Sequence, residues 1–89
     1  MNACNERKLA ARAKTLGESA DAQAFVELNP LTQSSSALVR RLAASAIGKL
    51  AGIAPAVEAV RTLQPLLCDR HPQVRQYAAK ALGAFGAEE

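Results

Sequence analysis

The sequence predicts an all-α protein, a short helical solenoid of about five helices in roughly two and a half repeats. Two observations carry this. Apolar residues recur at steps of three and four, the spacing of one helix face. The 21 residues from Leu66 to Gly86, LLCDRHPQVRQYAAKALGAFG, also recur upstream, and a period of this size with two helices per unit marks a helical repeat array.

The helix–turn–helix character of Leu66–Gly86 follows from its residues. Leu66 and Leu67 close one apolar helix, and Cys68–Pro72 is a polar break. Pro72 has no N–H to give a helix interior but suits the first helical position, where that donor would go unpaired. Beyond it, Val74, Ala78, Ala81, Leu82 and Phe85 share one face, and Gly86 suits the left-handed residue past a helix end. Shifted by 35 positions the stretch meets itself: Val39-Arg40 falls on Val74-Arg75, Ala43-Ala44 on Ala78-Ala79, Ala46-Ile47-Gly48 on Ala81-Leu82-Gly83, and Pro30 on Pro65. A weaker copy, Arg7–Ala13, lies 33 positions before Arg40–Ala46, which puts Lys14 at the place of Ile47 and Leu82.

These residues resemble the HEAT-like repeat of the phycobilisome-lyase type, of pattern L-L-x-D-x-x-P-x-V-R-x-x-A-A-x-A-L-G-x-x-G. Leu66, Leu67, Asp69, Pro72, Val74, Arg75, Ala78, Ala79, Ala81, Leu82, Gly83 and Gly86 match it. The upstream copy has Ser34 in place of Asp69 and Ala37 in place of Pro72. The resemblance implies a right-handed superhelix of the HEAT-like or armadillo type. It also implies that Asp69 and Arg75 form a structural pair at the turn, and that the second helices line a concave surface where partners bind. An accessory part in bilin attachment is the activity its name suggests.

In order, Met1–Cys4 is expected to be a frayed end and Glu6–Leu16 the first helix, stopped by Gly17. With one polar face it reads as a capping half repeat over 5–17, followed by repeats over 20–52 and 54–86, all in one domain over 1–89. Ser19 or Asp21 can cap a second helix, Ala22–Thr32, with an apolar side of Ala22, Phe25, Val26, Leu28 and Leu31. Pro30 sits late in it and Pro65 repeats the event, which predicts a shared kink or a tight final turn. Ser36 is the expected N-cap of a third helix, Ala37–Leu50. Pro55 opens a fourth, running to about Cys68 through Val57, Val60, Leu63, Leu66 and Leu67. The fifth spans about Gln73–Phe85, and Ala87–Glu89 is an acidic tail. The last apolar face, around Tyr77 and Phe85, has no later repeat to cover it and is expected to be partly exposed, or covered by a partner or by a second copy in a homodimer.

A net charge of +3 and a pI near 9.2 permit contact with anionic surfaces without requiring it. Two cysteines, Cys4 and Cys68, are too few for a disulfide framework and point to a reducing compartment. No run approaches the ~20 apolar residues of a membrane span. The expectation is a soluble cytoplasmic protein with no membrane role.

Chemistry is hard to assemble from these residues. Cys68 and His71 have the spacing of two metal ligands, but tetrahedral zinc wants four, and Cys4 is the only other residue of either type. A cysteine nucleophile would need an oriented base and a cleft. No catalytic residue, metal or cofactor is expected, and no enzyme activity. Charge is more informative. The outward positions of the second helices read Lys8, Arg12, Arg41, Ser45, Lys49, Gln76 and Lys80, while Glu27 and Glu58 lie on the other helices. The expected function is a non-catalytic protein-interaction or scaffold module. Its candidate binding residues are Arg12, Arg41, Lys49, Gln76, Tyr77 and Lys80, facing an acidic patch of another protein. Nucleic acid or another anionic ligand on the same stripe is the alternative, ranked lower because such surfaces usually add more charge and aromatic stacking. Arg40, lacking an acid at Ser34, is expected to face solvent or a ligand.

Overall fold

A computed structural model describes residues 2–86. Met1 and the acidic tail, 87–89, lie outside the described residues. The helices are α1 (Ala3–Glu18), α2 (Gln23–Leu31), α3 (Ala37–Lys49), α4 (Ala56–Leu63) and α5 (Pro72–Ala84); a 3₁₀ segment, Gln64–Cys68, extends α4. α1, α3 and α5 lie side by side in one layer, and α2 and α4 cover its inner face. The slab is 15 Å thin along its shortest axis, as two helical layers require. The buried side chains of Leu16, Phe25, Leu28, Ile47, Leu50, Leu63 and Val74 form the core. This is the all-α solenoid the periodicity predicts.

Local chemistry explains the boundaries. α1 begins earlier than expected because the Asn2 side chain accepts a hydrogen bond from the Asn5 N–H at 2.8 Å, so Ala3 and Cys4 are helical. Gly17 does not stop this helix; it lies inside it, buried, and Ser19 closes the end by donating its hydroxyl to the Leu16 carbonyl at 2.7 Å. Asp21 accepts from the Gln23 N–H at 3.0 Å and steadies the start of α2. Ser36 caps α3, accepting from the Val39 N–H at 3.2 Å. Pro30 is followed by successive i→i−3 bonds at Thr32, Gln33 and Ser34, and Pro65 lies in the 3₁₀ segment. Both prolines therefore end in the tight final turn, which tolerates a missing N–H. Gly86 takes the left-handed conformation at φ +74°.

Small residues set how the layer stacks. A Cβ on Gly17 would lie 2.8 Å from Ala46 Cα, and one on Gly48 would lie 2.9 Å from Ala81 Cβ. Each pair lets neighbouring helices approach backbone to side chain. The two contacts are equivalent, and they fix the register of α1 against α3 at 31 positions, where the letters suggested 33. Two expectations fall with the old register. Leu16, buried, and not Lys14, exposed, holds the place of Ile47 and Leu82. Arg12 takes the inward-facing place of Ala43 and Ala78, and is not part of the outward stripe. The covering layer also departs from its expected apolar side: Val26, Val57 and Leu67 are exposed. On α5 and at its end, Tyr77 and Phe85 pack against the core and are half-buried, the partly exposed face expected there.

Candidate functional site

The outer flanks of α3 and α5 bound a groove of about 220 Å³, lined by Ser45, Gly48, Lys49, Tyr77, Lys80, Ala81 and Ala84. Its floor is set by the Gly48–Ala81 approach. With no Cβ on Gly48, the helices close up and leave a shallow, mostly apolar trough. Lys49 and Lys80 are exposed at its sides, and Tyr77 is half-buried. Arg41 lies above the Tyr77 ring, its guanidinium carbon 5.6 Å from the centroid, within cation–π range. Arg41, Lys49, Tyr77 and Lys80 are thus brought together. Gln76 is exposed on α5 but does not line the groove. Ser45, read from the sequence on the outward stripe but not among the candidate binding residues, lines it too. Ala81 and Ala84 line it unforeseen; a small residue beside the glycine on the facing helix was the available signal.

Arg12 is a correction. It forms a bidentate pair with Glu27, Nε to Oε2 at 2.6 Å and Nη2 to Oε1 at 2.8 Å, across the α1–α2 edge. The hydrogen bond from Arg12 holds the Glu27 carboxyl below its ordinary range, and the same bond raises the Arg12 guanidinium. Both side chains are about half exposed, so the pair adds little stability. It nonetheless removes Arg12 from any role as an unpaired cation. It also breaks the expected segregation of charge, since Glu27 meets a cation from the other layer.

The turn pair has a different geometry from a simple Asp69–Arg75 ion pair. Arg75 donates from Nη1 to the Asp69 backbone carbonyl at 2.7 Å. The Asp69 carboxylate accepts instead from Arg40, Nε at 2.8 Å and Nη2 at 3.1 Å, and from the His71 N–H at 3.0 Å. Arg40 also donates to the Ser34 carbonyl at 2.8 Å. Arg40 therefore does not face solvent or a ligand: its side chain is 14% exposed and that of Asp69 is 9%. The hydrogen bond from Arg40 is the main cause that pushes the Asp69 carboxyl below the ordinary range, against the opposing effect of burial.

A wider polar hollow beside this pair, lined by Ser34, Ser35, Arg40, Asp69, Arg70 and His71 among others, is a poor anion site because Arg40 already holds a carboxylate. Cys4 and Cys68 are free and exposed. Among the described residues no three of His, Cys, Asp or Glu gather in a group that could hold a metal ion. No described helix is long and apolar enough to cross a membrane.

A family model described as HEAT-like repeat matches residues 37–85, which span α3, α4 and α5. No curated protein and no solved structure matches the chain.

Proposed function

The chain belongs to the HEAT-like repeat family, and from that premise we propose that it is a non-catalytic interaction module that binds an acidic segment of another protein in the α3–α5 groove. Helical solenoids present extended surfaces to their partners. The observation that carries the reading is the composition of the groove: an apolar floor, Lys49 and Lys80 at its sides, Tyr77 with Arg41 above it, and no acidic residue in the lining. An apolar centre within a polar rim is the usual anatomy of a protein interface, and tyrosine and arginine are the side chains that most often dominate its energy.

An acidic protein segment is favoured over nucleic acid for a specific reason. Single-stranded nucleic acid stacks its bases on exposed aromatic faces. Here the one tyrosine already carries Arg41 on a face. The finer likeness, to the phycobilisome-lyase type, rests on the Leu66–Gly86 pattern. An accessory part in bilin attachment is the rival it suggests, and co-eluting pigment is its sign. Two exposed, unpaired cysteines support a cytoplasmic setting.

The chain has one tyrosine and no tryptophan, so tyrosine emission reports the groove directly. Titration with a glutamate-rich peptide should change that emission saturably, and reversing Arg41, Lys49 and Lys80 together to glutamate should abolish the change. A single-stranded oligonucleotide that binds more tightly than the peptide, with a steep loss of affinity in salt, would move the reading to nucleic acid.

A further inference from the structure

The two full repeats differ in exposure at several equivalent places. Thr32 is 3% exposed and Ala44 is 0% exposed, whereas their counterparts Leu67, at 42%, and Ala79 are exposed. Arg40 is largely covered, and Arg75 is exposed. Core positions inside α3 and α5 do not change: Val39 and Val74, Ala43 and Ala78, Ile47 and Leu82 are buried in both repeats. At Arg40 and Gly48 the covering groups are the turn before α5 and α5 itself.

The two arginines share half of their geometry. Arg40 anchors Nη1 on the carbonyl of Ser34, six residues back, and spends Nε and Nη2 on the Asp69 carboxylate. Arg75 anchors Nη1 on the carbonyl of Asp69, also six residues back. Among the described residues its Nε and Nη2 meet no carboxylate. We propose that Leu67, Arg75, Ala79 and Gly83 form a second docking surface, for a helix of a partner protein that carries an Asp or Glu in the turn before its first residue. Charge complementarity fixes the occupant: Arg75 receives the carboxylate as Arg40 receives Asp69, three residues ahead of Pro72. Ala79 and Gly83 stand where Ala44 and Gly48 admit α5, and Leu67 supplies an apolar rim.

A second copy of this chain fits poorly. Stacked head to tail it brings Ala3 to the place of Asp69, with no carboxylate; paired face to face along α5 it brings Arg75 onto Arg75 when the helices run parallel, and onto Gly83, again with no carboxylate, when they run antiparallel about Ala79. The surface is separate from the α3–α5 groove, so failure of either leaves the other standing.

The test is amide chemical-shift mapping on the ¹⁵N-labelled full chain, titrated with a synthetic peptide of residues 52–86. That peptide bears the Asp69–Pro72 turn and helix that already cover Arg40. Shifts should concentrate at Leu67, Arg75, Ala79 and Gly83. Asp69→Asn in the peptide, or Arg75→Gln in the chain, should each weaken binding roughly tenfold, and the two together should cost no more than either alone. Arg75→Asp in the chain with Asp69→Arg in the peptide should restore binding lost by either, which excludes misfolding as the cause. Absence of shifts would overturn the proposal, as would equal affinity of the Asp69→Asn peptide, or shifts at Arg40 and Ala44 from displacement of α5. Concentration-dependent shifts at the same residues without peptide would assign the surface to a second copy and overturn the partner named here.

Discussion

Arg40 and Asp69 belong to successive repeats and meet in a two-point pair, Nε to Oδ2 at 2.8 Å and Nη2 to Oδ1 at 3.1 Å. The pair ties the first turn of α3 to the turn before α5. Because both side chains are largely covered, removing one leaves the other desolvated without its partner. Asp69→Asn should cost about 1.5–3 kcal/mol of stability at neutral pH, measured as a shift in the urea midpoint at unchanged slope.

The same pair sets an acid response. Asp69 is held below its ordinary pKa by Arg40, so in acid the unfolded chain binds a proton that the folded chain refuses. Its contribution is complete above the unfolded value of about 3.9 and fades as pH falls through the lower folded value. The stability gap between wild type and Asp69→Asn should therefore narrow on acidification below that point. Parallel curves over the whole acid range would show that the carboxylate is not the group responsible.

Two glycines should fail for opposite reasons. In an open helix interior Gly→Ala gains up to about 1 kcal/mol. At Gly48 the new methyl would sit 2.9 Å from Ala81 Cβ, and overpacking of that kind costs about 1–3 kcal/mol. Ala81→Gly should recover part of the loss. Gly52 has open space around it but φ of +86°, so Gly52→Ala should cost roughly 1–2 kcal/mol of backbone strain that no neighbouring substitution relieves. Thermal midpoints of the three variants and the double variant separate these causes.

Ser36 serves two helices. It accepts from the Val39 N–H and donates to the Glu6 carboxylate at 2.5 Å, joining α1 to the start of α3. Ser36→Ala should cost about 1–2 kcal/mol, the upper part of the range for a lost N-cap. Glu6→Gln, which leaves the cap intact, should cost less. Equal losses in the two variants would place the energy in the α1 contact instead of the cap.

The fold was legible because Val39–Leu50 and Val74–Phe85 repeat both the letters and the apolar face. The capping helix was not, because Arg7–Ala13 matches Arg40–Ala46 by letters, while its packing follows Gly17 and Leu16, two residues out of that register. Arg12 was misplaced by the same slip. The groove residues Lys49, Tyr77 and Lys80 could be read from helical spacing. The Arg40–Asp69 pair could not, since it joins residues 29 positions apart in different repeats, whereas a local reading pairs Asp69 with its neighbour Arg75. Exposure of Val26 and Val57 escaped the apolar pattern because the covering layer has only one packed side.

The most direct test of the α3–α5 groove is amide shift mapping of the ¹⁵N-labelled chain against a glutamate-rich peptide, repeated with Arg41, Lys49 and Lys80 reversed to glutamate. The groove reading predicts shifts concentrated at Ser45, Lys49, Tyr77, Lys80 and Ala84, and their loss in the reversed variant. Shifts centred on α2 and α4, or unchanged affinity in the reversed variant, would contradict it.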